Sequence, residues 1–137
     1  MIGTRLLALG AAFVFALLST IGASANVALV QVSSDPFTNT TSQHRTELEP
    51  DTFSANSTEV SAFQVGRFTD GGASDIGWAT TTNSGSTWTH GFLPGITKYQ
   101  GAGPYDRVSD PSVAYDARHN VWLISSLGIR TGSGVAV

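Results

Sequence analysis

The chain has 137 residues, ten acidic against seven basic side chains, 41% hydrophobic residues and no cysteine. Disulfides, thiolate metal sites and cysteine nucleophiles are therefore excluded. Without residues 1–25, whose only charge is Arg5, 112 residues remain with a net charge of −4, which excludes an overall basic nucleic-acid binder.

Residues 1–25 read as a secretory signal peptide. Arg5 precedes thirteen apolar or glycine residues (6–18), then Ser19 and Thr20, then the small-residue pattern Ala23-Ser24-Ala25. The alternative is an uncleaved anchor, since Ile21 and the alanines extend the apolar run. A bilayer span needs roughly 20 predominantly apolar residues, and Ser19 and Thr20 interrupt this one too early. The mature chain is expected to begin at Asn26 without stable membrane insertion, secreted or periplasmic. At this size it holds one modest core and one domain at most.

Serine and threonine supply 28 of the 112 remaining residues, whereas glutamate occurs only at Glu47, Glu49 and Glu59 and lysine only at Lys98. No apolar stripe of helical spacing is present, so the pattern predicts an all-β chain of short strands. Residues 26–32 form a possible first strand, and the Ser/Thr-rich stretch 33–45 reads as an exposed loop. Together, residues 26–48 make an N-terminal strand and polar loop. Sequons occur at Asn39 and Asn56. Further strands are expected at 51–53, 60–67, 76–82 and 87–92, followed by a long Gly/Pro-rich connection over 93–106. Strands at 112–116 and 121–127 follow, and residues 135–137 start another.

An acid–proline–strand–turn–strand unit occurs twice. Pro50 pairs with Pro111 and Val60 with Val121 at an offset of 61, and Phe53 with Tyr115 and Gly66 with Gly128 at 62. A period of this size fits arrayed four-stranded units. Within the first unit, residues 81–88 read Thr-Thr-Asn-Ser-Gly-Ser-Thr-Trp. Asn83 suits an Asx-turn, Gly85 supplies positive φ and Trp88 drops a large ring onto the sheet. The segment resembles the Asp-box, or bacterial neuraminidase repeat, S/T-x-D-x-G-x-x-W, with Thr81, Gly85 and Trp88 matching and Asn83 in place of the aspartate.

The resemblance covers residues 49–137 and implies part of a sialidase-like β-propeller built of four-stranded antiparallel blades. About one and a half blades are present, a first unit over 49–106 and the start of a second over 107–137. It also implies that the box is a structural turn away from any active site. Family sialidases hold the substrate carboxylate with three arginines, use a Tyr/Glu nucleophile pair and place an aspartate acid/base near the first blade. The first arginine stands in an Arg-Ile-Pro run, and here Leu48-Glu49-Pro50 and Ser109-Asp110-Pro111 lack it. Asp70 and Asp75, in the polar loop 69–75, are the available acid/base candidates, and a solvated-turn role is the simpler expectation for both.

His44, His90 and His119 lack metal-ligand spacing, and Asp106, Asp110 and Asp116 lack an EF-hand pattern, so no metal or cofactor is expected. Asp116 suits the turn ahead of residues 117–120. Trp78, Trp88 and Trp122 are sugar-stacking candidates if exposed, with core packing favoured for Trp78 and Trp122. The resemblance implies a secreted, non-catalytic binding or scaffold module, with glycans or glycoconjugates as partners. The alternatives are an N-terminal fragment of an exo-sialidase whose catalytic residues lie mostly beyond residue 137, and a self-contained β-sandwich whose box is coincidental.

Overall fold

The computed structural model describes residues 29–132. Six strands and no helix make up the regular structure: β1 (Glu47–Ala55), β2 (Thr58–Arg67), β3 (Ala73–Thr81), β4 (Thr89–Phe92), β5 (Arg107–Asp116) and β6 (Val121–Ile129). Strands β1 to β4 form an antiparallel meander, each paired with its predecessor. The β5–β6 hairpin joins the same sheet through one pair, Ala73↔Val108, on the β3 edge that β4 occupies at its other end.

Strands β2 and β3 are covered on both faces, and this buries polar side chains such as Gln64, Ser74 and Asp75 along with the apolar ones. On one face Val60, Ala62 and Ile76 pack with Val108 and Val113, and Leu93, Ile96, Trp122 and Ile124 close the rim. On the other face Phe63, Val65 and Ala79 are covered by Val32, Phe37, Trp88 and Phe92. Complete burial of a side chain such as Ile76 contributes about 1.5–3 kcal/mol.

Strand existence follows the sequence pattern, and the bounds differ where prolines or acids obscure it. No strand forms over residues 29–32 of the expected 26–32 strand. The following stretch is more tightly held than an exposed loop. Asp35 accepts from the Phe37 and Thr46 N–H groups at 3.0 and 3.2 Å, and the Gln43 N–H reaches the Arg67 carbonyl at 2.7 Å. Strand β1 begins at Glu47 and β3 at Ala73, both earlier than expected. Residues 1–25 and 135–137 lie outside the described residues. No helix among the described residues is long and apolar enough to cross a membrane.

The repeat takes a definite structural form. Glu49 and Asp110, each preceding a proline, hold left-handed φ values of 52° and 48°. The ladder slips beside them, between Leu48 and Asp51 and between Ser109 and Ser112. Such a conformation is uncommon for a non-glycine residue, and its use at both acids marks one bulge made twice. Register corrects part of the expected alignment. Asp51 faces Ala62 as Ser112 faces Ser125, so equivalent positions lie 61 residues apart on the first strand and 63 on the second. The hairpin turn grows from Asn56-Ser57 to residues 117–120 and absorbs the difference. Pro50 and Pro111 remain equivalent, whereas Phe53 matches Ala114, Val60 matches Leu123 and Gly66 matches Ile129. Gly66 has φ 70°, while Gly128 instead leaves room for the Tyr105 ring, which would lie 2.7 Å from an added Cβ.

Candidate functional site

The box-like turn connects β3 to β4. Buried Thr81 donates its hydroxyl to Asn83 Oδ1 at 2.9 Å and accepts from the Gly85 N–H at 3.0 Å. Asn83 Oδ1 also accepts from the Thr87 N–H at 2.9 Å, and Asn83 Nδ2 donates to the Thr87 hydroxyl at 2.9 Å. Ser84 and Gly85 carry φ values of 54° and 84°, so the chain reverses through two left-handed residues. Trp88 donates its indole N–H to the Gly85 carbonyl at 3.2 Å and lays its ring on the Phe63–Val65–Ala79 cluster. Every polar atom of Asn83 is thus spent inside the turn, which suits support of the sheet better than ligand contact.

Asp70 and Asp75 part company. Asp70 lies in the β2–β3 turn with its side chain 74% exposed, and Arg107 at the start of β5 donates to it at 2.6 Å. That bond holds the Asp70 carboxyl below the usual carboxylate range. Asp75 is not a loop residue, because β3 has already begun. It faces Val65 across the β2–β3 ladder and is fully buried. Among the described residues neither carboxylate oxygen has a hydrogen-bond partner. Desolvation pushes its pKa up to about 7, against a weaker opposing pull from the Ile76 N–H. The two acids share no cleft, so no paired-carboxylate chemistry follows from them.

Other candidates are structural or dispersed. Asp116 accepts from the Arg118 and His119 N–H groups at 2.9 and 3.2 Å, capping the turn as expected. Asp106 accepts from Lys98 and from the Thr131 N–H, both at 2.9 Å. Among the described residues no group of three or more His, Asp or Glu side chains is placed to hold a metal ion. Trp78 and Trp122 are half-buried and flank an open groove of about 570 Å³ with Leu93 and Ile124.

Two features escaped sequence reading. Asp51 reaches across to β5, where its Oδ2 accepts from the Val113 N–H at 2.7 Å and the Ser112 hydroxyl at 3.0 Å. Those bonds, Val113's first, lower its pKa. Tyr99, in the β4–β5 connection, lines two adjoining depressions. Position after a proline was the only signal for Asp51, and Tyr99 had none beyond its glycine-rich surroundings. No family model, curated protein or solved structure matches the chain.

Proposed function

We propose that this chain forms one unit and the start of the next of a secreted, sialidase-like β-propeller that serves as a non-catalytic binding or scaffold module, with glycans as its ligand class. One observation carries the architecture: Asp51 touches Ser112, its own counterpart 61 residues on. When successive units are related by rotation, equivalent atoms come closest near the axis. Contact between counterparts on β1 and β5 therefore favours a ring with those strands innermost. The four-strand meander and the closed turn at residues 81–88 fit a blade and its peripheral Asp-box.

The non-catalytic part rests on the acids. Asp70 is engaged by Arg107, and Asp75 is sealed from solvent. Incubation with a fluorogenic sialoside is expected to release no fluorophore between pH 4 and 8. Turnover by the parent that Asp70→Asn or Asp75→Asn abolishes would overturn this reading in favour of a glycoside hydrolase.

A further inference from the structure

The two depressions beside Tyr99 lie at the end of the sheet where β2 turns into β3 and β4 connects to β5. One, about 450 Å³, is walled by Phe37, Asn39 and Gln100, and the other, about 280 Å³, by Lys98, Asp106 and Arg107. The connection that carries Tyr99 is built, not slack. Thr97 is fully buried, donates its hydroxyl to the Ser74 carbonyl and accepts from the Tyr99 N–H at 3.3 Å. The Gln100 and Gly103 N–H groups return to the Thr97 carbonyl at 3.2 and 2.8 Å. Gly103 passes so close to Ile96 that an added Cβ would lie 2.3 Å from its backbone. The Tyr99 ring stands 6.1 Å from Phe68, and its hydroxyl lies 3.3 Å from that of Thr41. An aromatic wall held this firmly loses little freedom on binding.

Lys98 Nζ stands over the Tyr99 ring, 5.4 Å from its centroid, so a stacking ligand displaces it to the rim, and the charges around the ring cancel. Lys98 donates to Asp106 at 2.9 Å and Arg107 to Asp70 at 2.6 Å, giving two cations against two anions. Each pair leaves donors and acceptors to spare: Arg107 uses Nη1 for both Asp70 and the Gly71 carbonyl, and its Nη2 and Nε have no partner among the described residues. A sugar hydroxyl both donates and accepts, so it can bridge a cation and a carboxylate at once. A pyranose also offers an apolar face to a tyrosine ring. A ligand carboxylate would meet Asp106 as well as Lys98 and Arg107, two cations whose charge is already paired.

We propose that the Tyr99 groove binds a neutral pyranose oligosaccharide, with Tyr99 as the stacking wall and Lys98, Asp106 and Arg107 as the hydroxyl-bonding set. The proposal deepens the glycan reading above and names its subsite and ligand charge. Its test is an NMR titration of the full chain with lactose, maltotriose and chitotriose, beside 3′-sialyllactose. At least one neutral sugar should shift the amides of Tyr99 and Gln100 in a saturable way. Tyr99→Ala should weaken that binding at least tenfold, while Tyr99→Phe keeps it within threefold, both with parental denaturation midpoints. If Tyr99→Ala unfolds, Gln100→Ala, expected to weaken binding several-fold, takes its place. Sialyllactose binding tenfold tighter than lactose, binding indifferent to the Tyr99 and Gln100 changes, or no binding at all would each overturn the proposal. Tighter sialyllactose binding, or binding indifferent to those changes, would leave the glycan reading above standing; no binding at all would count against it too, whereas the sialoside assay tests its non-catalytic part separately.

Discussion

Strands β1–β2 and β5–β6 bend at the same acid–proline step, yet their second strands end in different surroundings. Strand β2 has β1 and β3 on its two edges, and Val60, Ala62, Phe63 and Val65 are buried. Strand β6 pairs only with β5 among the described residues, and Val121 and Leu123 remain 43% and 52% exposed. The local device is the same in both hairpins, and burial is decided by what lies across the edge. Matched substitutions at equivalent positions therefore separate the hairpin's own contribution from that of its neighbours.

The sharpest contrast is Phe63 against Ser126, its counterpart on β6. Phe63→Ala should destabilise by about 3–5 kcal/mol in urea melts, and Ser126→Ala by less than about 0.5 kcal/mol. Equal costs would break the comparison.

Asp75 gives an effect of opposite sign, confined to the covered side of the meander. Its folded pKa of about 7 lies above the unfolded value, so the folded state holds its proton where the unfolded state releases it. Stability contributed by the protonated form is thus full below about pH 4, declines as pH rises toward 7, and stays reduced above. Asp75→Asn should add about 2–4 kcal/mol at pH 8 and almost nothing at pH 4. A uniform gain across that range would show that burial does not shift this carboxyl.

A milder version of the first contrast pairs Val60 with Leu123. Val60→Ala should cost about 1–3 kcal/mol and Leu123→Ala less than about 1 kcal/mol, although leucine loses the larger group. The smallest change at neutral pH is expected for Asp51→Asn, because the amide oxygen still accepts from the Val113 N–H. Here the sign reverses. The folded pKa of Asp51 is lowered, so its contribution is present above about pH 4 and fades as pH falls through the folded value. Acid melts of parent and variant should converge near pH 2, and a gap that persists there would deny Asp51 its role between the hairpins.

Much of the fold is legible in the amino-acid sequence. Short runs ending in Asn-Ser or Asp-Ala-Arg-His placed the strands, and the Asx-turn chemistry of Asn83 and the positive φ open to Gly85 anticipated the closed turn, whereas the Thr81 hydroxyl bonds were not foreseen. The start of β1 was hidden because Leu48-Glu49-Pro50 reads as a break, and only a left-handed Glu49 carries the strand past it. Asp75 looked like a loop acid because it follows two glycines. Its burial depends on Val65, ten residues away in sequence and opposite in the ladder, a distance that local pattern does not span. The connection around Tyr99 was opaque for another reason. Its order comes from backbone bonds to Thr97 and from bare backbone packing at Gly103, neither of which leaves a periodic trace.

Among the described residues no strand covers the second edge of β6, which bears on handling the protein. Its nine residues, VWLISSLGI, carry no charge and no proline, the two features that commonly keep an edge strand from recruiting a copy of itself. Wherever that edge stays uncovered, this strand is the natural seed for edge-to-edge aggregation at high concentration. The gatekeeper it lacks belongs at Leu123, where the side chain is already half in water and a Leu123→Lys change would raise the solubility limit while leaving the fold intact.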